Sequence, residues 1–216
     1  MNVLSLCDGM SCGQIALKEL GIPVEYYFAS EIDKNAIKVT MDNFPGTVQL
    51  GDVTKITENV LKTLPKIHLV IFGFPCRSLS KVVIDRKEYN QGLKGISGLF
   101  YDCNNILMWI KTYNNSDVKF MVENVDSNKT EDINEISQLL GAKPHLIDSA
   151  LFSAQERKRN YWTNIPIPTL PNNNPIVLEN ILDKNVDEKF FYSQDFDYLG
   201  DDKRVCAILN VKTHEM

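Results

Sequence analysis

Short apolar runs that alternate with stretches of helical periodicity constrain this chain more than any other feature. Residues 3–7 (VLSLC), 25–30 (EYYFAS), 68–73 (HLVIFG) and 119–124 (KFMVEN) are too apolar throughout to leave one side in water. Helical patterns follow them, at residues 14–20, 34–43, 99–113 and 133–140. Strands apolar on both faces and joined by helices form a parallel sheet covered on both sides, so an α/β, doubly wound class is expected. Residues 145–152 (HLIDSALF) and 159–165 (RNYWTNI) lie too close together for a crossover helix between them. They predict an antiparallel hairpin at the sheet edge.

Composition narrows the class further. Of 216 residues, 44% are hydrophobic and 24% charged, which excludes disorder, collagen and coiled coil. No stretch approaches the roughly 18 apolar residues of a membrane span, and the first residues lack the regions of a signal peptide. A cytoplasmic chain with no membrane partner is therefore expected. Five cysteines without a CxxC pair, and only three histidines, suggest neither a disulfide framework nor a metal site. The net charge of −5 argues at first against nucleic acid, yet residues 176–203 hold eight acids and three bases and account for all of it. The preceding chain is near neutral and can carry a basic cleft. Four prolines and three asparagines in residues 166–175 mark a boundary: 1–168 form one domain, and 169–216 a linker and acidic tail too small to bury its own core. A short helix at 177–182 and the apolar run VCAILNV are what that tail offers.

Chemistry concentrates at the ends of the apolar runs. The first runs into CDGMSCG, where Gly9 and Gly13 let a turn approach a ligand and the following helix offers free N–H groups to an anion. The second ends in Glu31-Ile32-Asp33, where a carboxylate can accept from two ribose hydroxyls, although Asp33 suits a helix N-cap better. Gly51-Asp52-Val53 adds a third acidic loop at the same edge, suited to an adenine amino group. Together these loops point to a nucleoside-containing cofactor. The fourth apolar end, Gly73-Phe74-Pro75-Cys76, exposes a thiol whose backbone direction proline fixes, and the bases Arg77, Lys81, Arg86 and Lys87 follow it. A free cysteine is more commonly a buried small hydrophobe, and those neighbours tilt the reading toward a thiolate. Glu123-Asn124-Val125 closes the fifth run with a carboxylate whose partial burial would let it hold a proton. Gln155, Arg157 and Arg159 alternate, which puts two guanidinium groups on one side for phosphate or a base carbonyl.

In this order, DGMSCG, EID, GDV, GFPC, ENV and QERKR resemble the motif series of cytosine-5 DNA methyltransferases, over roughly residues 2–168. The variants DGMSCG, PCRSLS and KGISGLFYDCNNIL look most like those of the de novo mammalian branch and some phage enzymes. A mostly parallel sheet with an antiparallel edge hairpin is also the outline of that family's Rossmann-like class I S-adenosylmethionine-dependent methyltransferase fold. What the resemblance implies is methyl transfer from S-adenosyl-L-methionine to carbon 5 of a cytosine flipped out of DNA. Cys76 would attack carbon 6, Glu123 would contact ring N3 and the exocyclic amine, Arg159 would hold O2, and Arg157 would support the pocket. For the cofactor it implies Cys7, Asp8, Gly9 and the turn Met10, Ser11, Cys12 and Gly13, then Glu31 on ribose, Ile32 on the adenine face, Asp52 with Val53 at the adenine amine, and Pro75. Ser80, Lys81, Arg86, Lys87 and Gln155 are expected near DNA.

Cys7 stands where the family usually has phenylalanine, and Arg77 replaces the commoner glutamine or asparagine. The family usually continues with a target-recognition region, and residues 169–216 look like its start, so either a second polypeptide supplies the remainder as a partner, or the gene is shortened and activity is reduced or lost. A cytosine-5 methyltransferase acting on RNA, or a non-catalytic DNA-binding relative, fits the same motifs.

Overall fold

The computed structural model describes residues 1–80, 91–172, 176–181, 196–199 and 207–210. The chain forms β1 (Asn2–Leu6), α1 (Cys12–Glu19), β2 (Tyr26–Ser30), α2 (Lys34–Asn43) and β3 (Val48–Gln49). Then come α3 (Glu58–Thr63), β4 (Leu69–Gly73), α4 (Leu99–Trp109), β5 (Lys119–Val125), α5 (Thr130–Leu140), β6 (His145–Asp148) and β7 (Lys158–Thr163). Further on are α6 (Leu178–Ile181) and the strands β8 (Phe196–Leu199) and β9 (Ala207–Asn210), which pair antiparallel with each other. The chain divides into two compact units, Met1–His145 with Asn160–Pro166, and Leu146–Arg159 with Ile167–Met216.

Seven strands form one sheet in the order β3-β2-β1-β4-β5-β7-β6. The pairs β1/β2, β1/β4, β2/β3 and β4/β5 are parallel. Along β7 the direction reverses. Thr163 Oγ1 donates to the Phe120 carbonyl at the start of β5, whereas Asn160 Nδ2 reaches the Val125 carbonyl at its end. The expected hairpin is present, with Ser149 N–H donating to Arg157 O at 3.3 Å, but β6 takes the edge and β7 lies inside. Asn160 and Trp162, both buried, explain why β7 is the inner strand.

Why the strands read as apolar throughout is visible in their alternation. Leu4, Leu6, Phe28, Val70 and Phe72 join residues of α3, α4 and α5 in one buried cluster, while Val3, Tyr27, Ala29, Leu69 and Ile71 join Leu17 of α1 in another. Helix boundaries follow local chemistry. Asp33 caps α2 by accepting from Asn35 N–H and Ala36 N–H, and Pro45 follows the residue at which that helix stops. Gly21, at φ 64°, closes α1 by donating to Lys18 O while Ile22 donates to Leu17 O.

Three elements depart from the sequence expectation. α3 had no signal strong enough to mark it. The helix expected over 99–113 is α-helical only to Trp109 and closes with a π-helical turn, Ile110–Asn114. Asn114 and Asn115 draw that turn onto the chain entering β4, through Ile67 N–H to Asn114 Oδ1 and Asn115 Nδ2 to Ile67 O, each 2.7 Å. In the tail, the apolar run becomes β9 and finds β8 as its partner. Among the described residues, no helix is long and apolar enough to cross a membrane.

Candidate active site at the carboxyl ends of the strands

β1 delivers the chain into a loop where φ is positive at Cys7 (52°), Gly9 (61°) and Ser11 (59°), every second residue. Such alternation curls a backbone so that its N–H groups face one concavity. For Cys7 and Ser11 the left-handed conformation is strained and needs outside support. Asp8 provides it: Tyr27 Oη donates to its Oδ1 at 2.9 Å, and Ser11 Oγ donates to its Oδ2. Thr40 Oγ1, 3.3 Å from Ser11 Oγ, extends this network into α2. Burial, reinforced by the Asp8 charge, pushes the Tyr27 phenol far above its ordinary range, so it remains a donor. The Asp8 carboxylate is thus turned toward the protein and acts as a clamp on the loop.

The two glycines of this loop serve different ends. At Gly9 an added Cβ would meet nothing within 4 Å, so the turn opens on free space. At Gly13 it would press on Ile71 Cδ1 and lie 2.9 Å from Tyr27 Oη. Gly13 therefore lets α1 lie close on the sheet. Met10 and Cys12 are exposed, and Cys7 is half-buried. The Cys103 thiol, buried on α4, lies beside Cys7, and their interaction lowers the Cys7 pKa and raises that of Cys103.

Glu31 joins the first two loops. Its Oε2 accepts from Gly9 N–H at 2.8 Å, and Oε1 accepts from Ile32 N–H at 2.7 Å and Asp33 N–H at 2.9 Å. Three of its roughly four acceptor positions are used, and one remains for a hydroxyl. Ile32 is 71% exposed although apolar, at the same edge. After β3 the chain passes Gly51, whose carbonyl accepts from Ser30 Oγ at 2.6 Å. Asp52 then caps the 3-10 turn Val53–Lys55, with Oδ1 accepting from Thr54 N–H at 3.0 Å and Thr54 Oγ1 at 2.8 Å. Those Thr54 bonds hold the Asp52 carboxyl below the usual carboxylate range.

β4 and β5 build the other half. Phe74 is buried, with its ring 5.2 Å from that of Phe100 and 6.5 Å from that of Phe72. Pro75 and half-buried Cys76 follow, and Cys76 O accepts from Leu79 N–H and Ser80 N–H, each at 2.8 Å, which turns the chain at once. Gly73 is in register with Glu123, and a Cβ on Gly73 would come within 3.1 Å of Glu123 Oε2. Asn124, 1% exposed, donates through Nδ2 to Phe74 O at 2.9 Å and accepts from Val125 N–H through Oδ1 at 2.8 Å. One side chain thus straps the loop that carries Cys76 to the strand that carries Glu123. In the sequence, Asn124 stands within Glu123-Asn124-Val125 with no task of its own. A buried amide at a strand end, next to a proline-turned loop, was the available signal.

Ser80 is half-buried and Arg77 exposed, while Lys81, Arg86 and Lys87 lie outside the described residues. In the second unit, Asp148 Oδ1 accepts from Arg157 N–H at 2.8 Å, and Ser149 Oγ donates to Gln155 O at 2.8 Å. One tight turn therefore collects Gln155, Arg157 and Arg159. Arg157 is exposed, and Arg159 is half-buried with Nη1 donating to Lys158 O at 2.8 Å. Among the described residues no His, Cys, Asp and Glu cluster could hold a metal ion.

Known proteins resemble this chain in sequence and in fold. The family model described as C-5 cytosine-specific DNA methylase matches residues 1–189. The orphan methyltransferase M.SPRI of Bacillus phage SPR is 28% identical over 76% of this chain and 38% of its own length. The type II methyltransferase M1.ScrFI of Lactococcus lactis subsp. cremoris is 30% identical over 79% of this chain and 46% of its own. The chain thus spans less than half the length of these relatives. A crystal structure of a Spodoptera frugiperda DNMT2 mutant superposes with a TM-score of 0.61 at 22% identity, covering 88% of this chain and 61% of that one. For S. pombe Dnmt2 the values are 0.54 and 18%, over 78% and 51%. This likeness shows the fold, a class I S-adenosylmethionine-dependent methyltransferase sheet.

Proposed function

The chain belongs to the C-5 cytosine-specific DNA methylase family, and from that premise we propose that it methylates carbon 5 of cytosine in DNA. The observation that carries this reading is the Asn124 strap, which fixes the Cys76 loop beside Glu123 on the neighbouring strand. Residues 1–168 form the catalytic domain in this reading, residues 169–216 begin the target-recognition region, and the protein works in the cytoplasm of a bacterial or phage-infected cell.

The cofactor loops fit S-adenosyl-L-methionine on their own chemistry. Glu31 keeps an acceptor for a ribose hydroxyl, exposed Ile32 offers an apolar face to a purine, and the Gly9 turn leaves room for the methionine portion. Bound there, S-adenosyl-L-methionine supplies an electrophilic methyl carbon to carbon 5. The chain's own residues prepare and clear the base. Cys76 thiolate adds to carbon 6 of a flipped-out cytosine, forming an S–C bond and moving electron density onto carbon 5. Glu123 holds a proton at ring N3 and so stabilises that density. Once carbon 5 carries the new methyl group, its proton leaves to a base, the S–C bond breaks, and the thiolate returns. Arg159 and Arg157 take the base O2 and the support of its pocket, and Ser80, Lys81, Arg86, Lys87 and Gln155 take the DNA backbone.

Tritiated methyl transfer to cytosine-containing duplex DNA tests this, with the full chain alone and with the product of the neighbouring gene. Incorporation is expected, and Cys76→Ser is expected to lower it at least about a thousandfold without loss of cofactor binding. Incorporation seen only in the mixture assigns a second polypeptide as partner. Incorporation into transfer RNA alone, or an unchanged rate in Cys76→Ser, overturns the proposal.

A further inference from the structure

β4 ends in a glycine that its own backbone does not require. Gly73 has no positive φ, so its conformation is open to residues with side chains. Glycine in a strand costs stability relative to alanine, and where it persists it often marks a close approach. Alternation puts position 73 on the sheet face of Leu69 and Ile71, yet Gly73 is exposed at the carboxyl edge while those two are buried. A Cβ built there would meet Glu123 Oε2 at 3.1 Å and Glu123 O at 3.8 Å, and nothing else among the described residues within 4 Å. Glu123 is the register partner of Gly73 on β5. Its carboxylate therefore lies across β4, over the residue from which the chain departs toward Cys76. Ordinary contact begins near 3.4 Å, so an alanine at this position would push the carboxylate back by a few tenths of an ångström.

We infer that Gly73 is a positioning residue for Glu123: by lacking a side chain it leaves the clearance that lets the carboxylate reach a cytosine ring held beside Cys76. This deepens the proposed methyl transfer and rests on it. The backbone around the pair is held independently, because Asn124 bonds the Phe74 carbonyl on one strand and the Val125 N–H on the other. A methyl group at position 73 thus acts on the end of the Glu123 side chain and leaves the strands in place. Misplacing a reacting group by about 1 Å costs up to about a hundredfold in rate, and a larger side chain costs more than a smaller one. The loops around Glu31 and Asp8 have no part in this contact, so cofactor affinity stays outside it.

A graded series at position 73 tests the inference on the full chain, with the neighbouring gene's product added if wild-type methyl transfer requires it. Gly73→Ala is expected to lower kcat on duplex DNA about tenfold and Gly73→Val about a hundredfold, with KM for DNA and affinity for S-adenosyl-L-homocysteine within about twofold of wild type. The urea midpoint of Gly73→Ala is expected to equal or exceed that of wild type, because alanine suits a strand better and the group that gives way is the end of a flexible side chain. In a Glu123→Gln background, already slowed, Gly73→Ala is expected to cost less than about twofold more. A kcat within about twofold of wild type in both Gly73→Ala and Gly73→Val overturns the inference and leaves the methyl-transfer reading intact. The same tenfold loss in the Glu123→Gln background as in wild type also overturns it, since the glycine would then act through something other than Glu123. Absence of wild-type incorporation with and without the second polypeptide removes the proposed function and the inference with it.

Discussion

The loops after β1 and β4 open on the same edge of one sheet and are held by different kinds of contact. Around the first, Tyr27, Asp8, Ser11 and Thr40 form a closed polar network, and Glu31 adds three bonds of its own. Around the second, Asn124 of the neighbouring strand donates to the Phe74 carbonyl. Cutting one tie of a redundant network costs little placement, whereas Asn124 ties the nucleophile loop directly to β5 from a fully buried position. The contrast suits the proposed chemistry, since a cofactor loop is needed in one fixed shape and a nucleophile loop has to meet a base brought in from outside.

Asn124→Ala is the sharpest probe of that contrast. It leaves the Phe74 carbonyl and the Val125 N–H without their partner at a position 1% exposed, at about 1–3 kcal/mol for each buried group. Urea unfolding is expected to show a loss of about 2–6 kcal/mol, and methyl transfer by the folded protein is expected to fall while affinity for S-adenosyl-L-homocysteine holds. A parallel loss of that affinity would mean that the two loops are one mechanical unit. Gly13→Ala acts on the other side. Its methyl group would be forced onto Ile71 and Tyr27, an overpacking worth about 1–3 kcal/mol in unfolding measurements, with weaker cofactor-analogue binding as the network shifts. The mildest change is Asp33→Ala, which removes the N-cap of α2 for about 1 kcal/mol and is expected to leave analogue affinity unaltered. A large affinity loss there would place Asp33 in the ligand's contacts.

Strand positions were legible because alternation between two apolar faces leaves continuous hydrophobic runs, and α2 was legible to the residue because Asp33 and the Phe44-Pro45 step punctuate it. What escaped is what spacing cannot carry. The sequence places Asp8, Glu31, Asp33 and Asp52 at one edge, and the structure separates them by which N–H and O–H groups each one accepts from. Gly13 looked like a ligand-approach glycine because its crowding comes from Ile71 and Tyr27, far along the chain. The edge hairpin was correctly paired, yet nothing local says that its second strand enters beside β5.

That late insertion of β7 has a consequence for biosynthesis. Until Asn160–Thr163 leave the ribosome, β5 is the open margin of everything already assembled, with KFMVENV presenting unpaired backbone groups. Translation that stalls anywhere between the end of β5 and the start of β7 would yield a nascent chain inclined to associate with its neighbours through that margin, and chaperone demand should peak over this interval. Folding yield is thereby coupled to the speed at which about thirty-five codons are read.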